Sequence, residues 1–374
     1  MDSISKITLT ERKSLRLPFN LADAQNYVSL TEKQMQVISQ LPILFDEAQQ
    51  TPYEVINRRF GHALFNMLGQ KAALAAPNIF MYCYSATIAL EIATSYLRQR
   101  NTTARPVGLL HPTFDTLAYV LKRHGLNCAP IEQKVLVEED YLWASNYAAI
   151  YLTLPNNPTG FTLGREQFRR LAQQCAASNT LLVLDCCYRY YSQENFDFYT
   201  ELLAAKVDYV VVEDTGKLFP LVDLKLGVLS CNERIRDEVE SIHSDFLLEV
   251  SKFTMIVIAK FCESQTIADK EKYLWKIKEN RVQLNSRLST YGLRPIGGES
   301  INVQLLSLPS SLDSTAFQAD LLKNGVGVVD AKRLYWNREE SYQGGIRIAL
   351  SRNSDYFQDA LNVIEDVLKK VVRI

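Results

Sequence analysis

Residues 210–229 read V-V-V-E-D-T-G-K-L-F-P-L-V-D-L-K-L-G-V-L, and the fold and function of the chain are best approached from this stretch. Its run of valines predicts a buried strand that ends in two carboxylates, followed by Thr215, Gly216 and Lys217. A lysine just past the end of a buried strand lies where open α/β sheets bind their ligands. Desolvation makes such a lysine lose its proton readily, as a Schiff-base amine must, although this stretch alone is equally typical of a lysine on a surface loop.

The segments before this stretch alternate between predicted strands and helices. Strands are predicted at 107–110, 148–154, 181–184 and 207–212, with helices at 112–125, 166–177 and 199–205. The alternation predicts an α/β fold with a mostly parallel sheet covered by helices on both faces. Asn157, Asp185 and Lys217 each follow one of these strands closely, so we expect the three side chains at one edge of the sheet.

The predicted start of one helix is a candidate for binding an anion. Ser85 and Thr87 stand where a helix with apolar periodicity begins, and the free N–H groups of a helix N-terminus attract anions. Ser85 and Thr87 are therefore candidate phosphate ligands, while an ordinary helix cap explains the two hydroxyl residues as well. Lys225 is a second cation shortly after Lys217.

The last third of the chain has a different pattern. Residues 233–290 are predicted to be largely helical, with an interruption at 242–245. A smaller α+β domain follows, with strands at 302–306, 325–329 and 345–350 and helices near 314–323 and 355–370. Arg347 stands inside the last of these strands, where a buried charge needs a partner. That partner is either a structural carboxylate or the carboxylate of a substrate, which a guanidinium binds through two hydrogen bonds.

Composition and charge narrow the class of protein. The 374 residues carry 41 Lys and Arg against 42 Asp and Glu, a net charge of −1 that offers no cationic surface for nucleic acid. No apolar run is long enough for a membrane span and no signal peptide is visible, so we expect no membrane partner. The seven cysteines lack metal-like spacing and fit reduced thiols, and the adjacent Cys186 and Cys187 are interpreted as packing residues. We expect a cytoplasmic enzyme with an arm or lid at 1–50, a large domain at 51–270 and a small domain at 271–374.

Together these residues resemble the fold-type I, pyridoxal phosphate (PLP) dependent aminotransferases of class I and II, over nearly the whole chain. The resemblance implies that Lys217 holds the cofactor covalently and that Asp185 pairs with its pyridine nitrogen. A carboxylate there favours the protonated ring, which makes PLP an electron sink for a Cα carbanion. The other implied contacts are Tyr188 and Asn157 with the phenolate oxygen, Phe114 with the ring, Ser85, Ala86, Thr87 and Lys225 with the phosphate, and Arg347 with the substrate α-carboxylate.

Two departures from that family pattern concern the phosphate. Asp214, Thr215 and Gly216 precede the lysine where a serine-rich sequence is usual, so one phosphate hydroxyl is missing. Lys225 takes the place of the usual arginine and supplies a point charge instead of a bidentate fork. Both changes predict looser phosphate binding.

A closer resemblance exists to the PLP-dependent arginine oxidases and hydroxylases of the enduracididine and indolmycin antibiotic pathways. The motifs that carry it are H-P-T-F-D (111–115), P-N-N-P-T-G (155–160), E-D-T-G-K-L-F-P (213–220), D-L-K-L-G (223–227), S-D-F-L-L (244–248) and R-I-A-L-S-R (347–352). Those enzymes use dioxygen to take electrons from an arginine–PLP quinonoid instead of transferring the amino group. The resemblance implies that Thr8 and Glu11 lie on a mobile helix that closes over the substrate, with Glu11 and Asp214 near the guanidinium.

The residue at position 25 bears on whether the product is hydroxylated. Hydroxylating members of that family carry a histidine at the aligned position, and histidine can activate water whereas glutamine is not a base near neutral pH. We therefore predict an oxidase that gives a 4,5-dehydro-2-oxoarginine-type product with hydrogen peroxide and ammonia. An arginine 4-hydroxylase and a conventional PLP aminotransferase are the alternatives, and a surface position for Gln25 would remove its bearing on the product.

The closer resemblance also implies partners. L-Arginine and dioxygen are the expected substrates, the expected assembly is a homodimer or a tetramer, and an imine reductase would intercept the product. A PLP-binding regulator is disfavoured because the sequence has neither a helix-turn-helix extension nor a basic patch.

Overall fold

The structure is a computed structural model that describes residues 6–74, 79–100, 105–138, 140–192, 196–221, 224–337, 342 and 344–372. Its α-helices are α1 (Ile7–Ser14), α2 (Glu32–Ser39), α3 (Leu41–Gln50), α4 (Tyr53–Met67), α5 (Ala86–Gln99), α6 (Asp115–Arg123), α7 (Arg165–Ala177), α8 (Phe198–Ala205), α9 (Arg236–Phe246), α10 (Lys252–Ser264), α11 (Ile267–Ser289), α12 (Ser314–Lys323) and α13 (Ser354–Val371). Its strands are β1 (Phe19–Asn20), β2 (Ile79–Cys83), β3 (Val107–His111), β4 (Cys128–Glu132), β5 (Ala149–Thr153), β6 (Leu181–Asp185), β7 (Tyr209–Asp214), β8 (Gly227–Cys231), β9 (Arg294–Ile296), β10 (Val303–Ser307), β11 (Val326–Gly327), β12 (Val329–Asp330) and β13 (Gly345–Ala349).

A seven-stranded sheet forms the centre of the molecule, in the order β2-β8-β7-β6-β5-β3-β4. Strands β5, β6 and β7 are parallel neighbours, while β8 is antiparallel to both β7 and β2. The Leu and Val runs of the three central strands are buried on both faces, as helix-covered parallel strands require. The predicted α/β fold is confirmed. The register pairs Thr153 with Asp185 and Asp185 with Val212, so the carboxyl ends of β5, β6 and β7 meet at one edge.

A smaller antiparallel sheet has the strand order β12-β13-β10-β9. The prediction of one strand at 325–329 is wrong, because β11 pairs in parallel with β1 whereas β12 pairs with β13. The N-terminal residues Phe19 and Asn20 thus take Val326 and Gly327 as partners before the chain enters the smaller sheet. This change of partner joins the N-terminal segment to the last third of the chain.

The interruption predicted at 242–245 is also wrong, because α9 continues to Phe246. Ile242 lies on the buried face of α9, and Ser244 and Asp245 are exposed to solvent. The polar residues therefore belong to the solvent face of a continuing amphipathic helix. The chain leaves the helix only at residues 247–251.

The apolar core forms one large cluster that extends through both sheets, and a second, small cluster lies beside it. The small cluster consists of Ile7, Ala22, Leu305, Val329, Ala331 and Leu334, so it attaches the start of α1 to the smaller sheet. The division of the chain at residues 50 and 270 stays a prediction. None of the helices in the described part of the chain combines the length and the apolar composition that crossing a membrane requires.

Candidate active site

A cavity of about 660 Å³ opens at the carboxyl ends of β5, β6 and β7. Its wall brings together residues that the sequence predicted for the site, namely Thr8, Glu11, Gln25, Ser85, Ala86, Thr87, Phe114, Asn157, Asp185, Tyr188, Asp214, Lys217 and Lys225. Arg347 lies behind the wall and contacts two of these residues. A second cavity, of about 700 Å³, lies between residues 26–34 and α11 and is lined by none of them. We therefore assign the chemistry to the first cavity.

Lys217 ends a short 3₁₀ turn that follows β7. Its Nζ lies 2.7 Å from Asp214 Oδ2 and 5.2 Å from the centre of the Tyr188 ring. Burial opposes the charge on this amine, but the neighbouring Asp214 carboxylate outweighs burial and holds the pKa of Lys217 well above its ordinary value. The same contact keeps the pKa of Asp214 below its usual range although burial acts in the opposite direction. The Asp214 carboxylate thus opposes the effect of desolvation on this amine.

Asp185 ends β6, and its Oδ1 accepts a hydrogen bond from the Cys187 main-chain N–H at 3.0 Å. Burial raises the pKa of Asp185, and the thiol and N–H of Cys187 offset this effect only in part. Cys187 also lines the cavity, and burial next to Asp185 holds the pKa of its thiol well above the ordinary value. The interpretation of Cys187 as a packing residue missed this contact. Its place between Asp185 and Tyr188 was the available signal.

The N-terminus of α5 forms another part of the cavity wall. Ser85 is its N-cap and accepts a hydrogen bond from the Ile88 N–H at 3.3 Å, and Ala86 and Thr87 begin the helix. Strand β8 passes so close that a Cβ on Gly227 would lie 2.4 Å from the Ser85 carbonyl carbon. Only glycine allows this approach, which brings the strand directly against the helix N-terminus.

Arg347 projects from β13 and its side chain is fully buried. Its Nη2 donates to Glu11 Oε1 at 2.8 Å and to the Ala22 carbonyl oxygen at 2.6 Å, and its Nη1 donates to Asn157 Oδ1 at 3.2 Å. Among the residues that the structure describes, none accepts a hydrogen bond from its Nε. Burial raises the pKa of Glu11, although Arg347 acts against this shift. Arg347 thus binds a carboxylate of the protein itself, and its Nε–H is available to donate to a further acceptor.

Helix α1 contributes Thr8 and Glu11 to the wall of the cavity. Its N-cap residue, Lys6, makes no side-chain cap, and instead Asp115 Oδ2 accepts a hydrogen bond from the Ile7 N–H at 3.1 Å. Asp115 is the last residue of the H-P-T-F-D motif, and burial raises the pKa of its carboxyl. A residue from the start of α6 therefore caps α1 from outside.

Comparison with known proteins agrees with this arrangement. The family model for aminotransferase class I and II matches residues 100–364, which is more than half of the chain. The chain belongs to this family. It is 22% identical to the histidinol-phosphate aminotransferase of Thermoanaerobacter pseudethanolicus over 310 residues, which cover 79% of this chain and 80% of that protein.

Solved structures of related enzymes extend the comparison. The structure of MppP soaked with the product 2-ketoarginine has a TM-score of 0.88 and 31% sequence identity, covering 93% of this chain and 99% of that one. The aspartate aminotransferase from Thermus thermophilus with maleate has a TM-score of 0.78 at 15% identity, covering 98% of this chain and 97% of that chain. The second similarity shows the fold alone.

Aminotransferases of class I and II depend on PLP, and the cavity of this member fits that cofactor. The N-terminus of α5 together with the Lys225 ammonium suits a phosphate group. The buried Asp185 carboxylate suits a protonated ring nitrogen. Burial raises the pKa of Asp185, and a positive charge beside it would favour the ionised carboxylate. The Lys217 amine suits the aldehyde. The contacts assigned to individual side chains, including stacking by Phe114, remain predictions.

Two further residues of this family member were not assigned from the sequence. Asp23 lines the cavity, and its Oδ2 accepts a hydrogen bond from the Tyr27 hydroxyl at 2.7 Å. Arg352 ends the R-I-A-L-S-R motif, is only 2% exposed and donates to main-chain carbonyls of the N-terminal segment. The available signal for Arg352 was its position just after an apolar strand that already contains Arg347. The partners of Arg352 lie more than 300 residues earlier in the chain.

Proposed function

We propose that this member of the aminotransferase family oxidises L-arginine with PLP and dioxygen, releasing a 4,5-dehydro-2-oxoarginine-type product, hydrogen peroxide and ammonia. Overall, one L-arginine, two dioxygen molecules and one water give one dehydrogenated 2-oxo acid, one ammonia and two hydrogen peroxide molecules. One dioxygen takes the electron pair from oxidation at Cα, and the other takes the pair released when the C4–C5 bond is dehydrogenated.

The charge distribution in the cavity is the observation that carries this proposal. The ionisable side chains other than tyrosine and cysteine in its wall are Glu11, Arg12, Asp23, Asp185, Asp214, Lys217 and Lys225. The cofactor would use Asp185, Lys217 and Lys225, so the carboxylates of Glu11 and Asp23 would remain for the substrate, together with Asp214, which also pairs with Lys217. Buried carboxylates need cationic partners, and a substrate with a permanently charged guanidinium supplies one.

The ion pair between Arg347 and Glu11 also favours a substrate that carries both charges. A substrate α-carboxylate that binds Arg347 through both Nε and Nη2 displaces Glu11, because Glu11 accepts its hydrogen bond from Nη2. Glu11 then loses the cation that it contacts directly and lies near the carboxylate of Asp23, and burial makes that state costly. The guanidinium of L-arginine gives Glu11 a new partner, whereas an amino acid with a neutral side chain does not. The site therefore selects substrates that offer a carboxylate to Arg347 and a cation to Glu11.

MppP supports the same substrate class. Its structure was soaked with 2-ketoarginine as the product, and this compound is the 2-oxo acid of arginine. MppP is also more similar to this chain than the Thermoanaerobacter histidinol-phosphate aminotransferase, at 31% against 22% identity. A phosphorylated substrate would place a phosphate beside Glu11, Asp23 and Asp214, and like charges in a partly buried site repel each other.

The protein contributes proton transfer and orientation. PLP, when bound, supplies the electron sink that allows Cα to lose its proton. Lys217 Nζ is placed to accept that proton, and Asp214, 2.7 Å away, stabilises the ammonium that results. Arg347 and Asn157 hold the α-carboxylate, which fixes the orientation of the Cα–H bond. Helix α1 covers the cavity and keeps water from the reacting atoms.

Dissolved-oxygen consumption tests the proposal. The PLP-loaded enzyme is given L-arginine without a 2-oxo acid, and the products are identified by mass. We expect oxygen uptake with hydrogen peroxide, ammonia and a dehydrogenated 2-oxoarginine. L-Citrulline, which replaces the guanidinium by a neutral ureido group, is expected to react with a kcat/KM lower by on the order of 100-fold.

A Lys217→Ala variant that retains PLP is the control, and we expect no oxygen uptake from it because the base at Cα is missing. Amino transfer to an added 2-oxo acid, without oxygen uptake, would establish a conventional aminotransferase instead. Oxygen uptake with a hydroxylated product would establish the arginine 4-hydroxylase and would contradict the role given to Gln25.

A further inference from the structure

Six consecutive main-chain carbonyls, those of residues 20–25, accept hydrogen bonds from residues 302–352. We call residues 20–25 the strap. The six bonds are Arg352 Nε to Asn20 O at 2.8 Å, Ala349 N to Leu21 O at 2.8 Å, Arg347 Nη2 to Ala22 O at 2.6 Å, Arg352 Nη2 to Asp23 O at 2.6 Å, Asn302 Nδ2 to Ala24 O at 2.9 Å and Arg352 Nη1 to Gln25 O at 3.1 Å. Buried carbonyls of an irregular segment need donors, and here the donors all come from one distant part of the chain.

Arg352 provides three of these six bonds. Its guanidinium carries five N–H donors in one rigid plane, which allows it to reach the carbonyls of Asn20, Asp23 and Gln25 together. The ring of Tyr27 lies 4.5 Å from the guanidinium carbon and holds the plane from one side. A lysine at this position has a single ammonium and cannot span the three carbonyls. The arrangement therefore depends on the guanidinium and not on charge alone.

The strap carries two polar side chains into the cavity wall, Asp23 and Gln25. Asp23 Oδ1 accepts a hydrogen bond from the Gln25 N–H at 2.9 Å, and its Oδ2 accepts one from the Tyr27 hydroxyl at 2.7 Å. Gln25 Oε1 is buried and accepts no hydrogen bond from any residue in the described ranges. An unsatisfied buried acceptor that lines a cavity is suited to an N–H donor from a ligand.

We propose that Arg352 is a positioning residue that fixes the strap as a rigid wall of the cavity, so that Asp23 and the amide oxygen of Gln25 serve as acceptors for the N–H groups of a cationic substrate. The substrate class and the kinetic consequence rest on the function proposed above. The fixing of the strap does not depend on that function.

Hydrogen exchange of the PLP-loaded enzyme, without substrate, tests the fixing of the strap. Arg352→Lys is expected to raise the exchange rate of the Leu21, Gln25 and Tyr27 amides by roughly tenfold or more, because the carbonyl bonds that hold them are lost. Arg281→Lys is the matched control. Arg281 is equally buried and donates to the Val303 carbonyl at 3.2 Å, but it contacts neither the strap nor the cavity wall.

The control is expected to leave strap exchange unchanged. Strap exchange in Arg352→Lys that equals the wild-type rate would overturn the proposal. If Arg352→Lys does not fold, Tyr27→Leu supplies a milder variant, because it removes only the ring beside the guanidinium and the hydroxyl bond to Asp23. A rise in strap exchange of about threefold is expected from it, and no rise would also overturn the proposal.

Kinetics with L-arginine then separate positioning from a general loss of structure. Arg352→Lys is expected to raise KM about tenfold while kcat changes by less than about threefold, because the wall contacts the substrate and not the reacting atoms. In a Gln25→Ala background the same substitution is expected to have a smaller effect, since one of the groups it positions is already absent. Equal effects in both backgrounds would mean that Arg352 does not act through Gln25.

The two proposals fail in distinguishable ways. An enzyme that does not oxidise L-arginine, but whose strap loosens on Arg352→Lys, contradicts the proposed function and supports the fixing of the strap. An enzyme that oxidises L-arginine, but whose strap is unaffected by the substitution, supports the function and overturns the role of Arg352.

Discussion

Helix α1 and the strap are close neighbours in the chain and both border the cavity, but they are attached to the molecule in different ways. Helix α1 is attached through Ile7 in the small apolar cluster, through the Asp115 carboxylate at its N-terminus and through the ion pair of Glu11. The strap has all six of its carbonyls bonded to residues 302–352. One of the attachments of α1, Arg347, is also the arginine that a substrate carboxylate would bind. None of the donors to the strap other than Arg347 is shared in this way.

The difference indicates that α1 and the strap have different roles within the first 25 residues. A helix of eight residues has little stability of its own, so the few contacts of α1 decide whether it stays on the cavity. Segments that open and close come from the least stable parts of a protein, whereas a wall that orients substrate has to be rigid. We therefore expect α1 to respond to changes at the cavity and the strap to stay in place.

Gly327→Ala should separate the two segments most clearly. A Cβ on Gly327 would lie 2.2 Å from Ser14 Oγ and 2.4 Å from Ser14 Cβ, so the variant cannot seat α1 as the wild type does. The bond from the Leu21 N–H to the Gly327 carbonyl involves only main-chain atoms and should persist at 2.9 Å. We expect faster hydrogen exchange in α1, unchanged exchange in the strap and a kcat/KM for L-arginine lower by roughly 100-fold.

Gly164→Ala is the matched control, because its nearest contact would be an ordinary 3.6 Å approach to Gln167 Oε1. It should change neither exchange nor kinetics. Equal loss of protection in α1 and in the strap of Gly327→Ala would show that the two segments move together. That result would contradict the expectation that α1 moves while the strap stays in place.

The strand-end residues of the site could be predicted from local sequence patterns, whereas the contacts that attach the N-terminal segment could not. Asn157, Asp185 and Lys217 follow apolar runs, and the period of those runs with the parallel topology places them at one edge. That inference uses local patterns and a general rule of sheet topology. The PLP dependence that the family resemblance implied agrees with the family to which the chain belongs.

The strap and the attachments of α1 depend on contacts between residues far apart in the chain, which local patterns do not encode. Arg352 lies inside a motif that the sequence singles out, but its carbonyl acceptors are more than 300 residues away. The pKa of Lys217 depends on a contact of this kind as well, because burial and the Asp214 carboxylate act on it in opposite directions. The split of 325–329 into β11 and β12 likewise depends on the N-terminal segment as a partner.

Glu11→Gln should have the next largest effect and should change specificity more than structure. The variant keeps a hydrogen-bond acceptor for Arg347 but loses the carboxylate that would pair with the guanidinium of the substrate. We expect kcat/KM for L-arginine to fall about tenfold while that for L-citrulline falls less, which reduces the preference for arginine. Strap exchange should stay at the wild-type rate because none of its donors is changed.

Glu32→Gln is a suitable control for the loss of one carboxylate, because Glu32 begins α2 and does not line the reaction cavity. An unchanged ratio of arginine to citrulline activity in Glu11→Gln would refute the charge exchange between Arg347, Glu11 and the substrate.

The smallest expected effect is the pH dependence of α1 docking. Burial raises the pKa of Glu11 above its usual 4.5 in the docked helix, where Arg347, Asp23 and Lys217 surround it. A carboxyl whose pKa is higher in the docked state binds its proton more tightly there, so lowering the pH favours docking. The gain begins as the pH falls through the raised pKa of Glu11 and is complete below 4.5. Asp115, whose pKa is also raised by burial, acts in the same direction.

Protection factors of the α1 amides, corrected for intrinsic exchange, measure this effect between about pH 7 and about pH 5. We expect α1 protection to rise on acidification, and the Glu11→Gln variant to lose the part that Glu11 contributes. The strap should be insensitive over this range, because arginine side chains and main-chain carbonyls do not titrate there. A fall in α1 protection on acidification would mean that the ion pair with Arg347 outweighs burial at Glu11. The docking of α1 would then depend on the ionised Glu11 carboxylate. A substrate carboxylate that binds Arg347 would in that case release α1 from the cavity wall instead of shifting it.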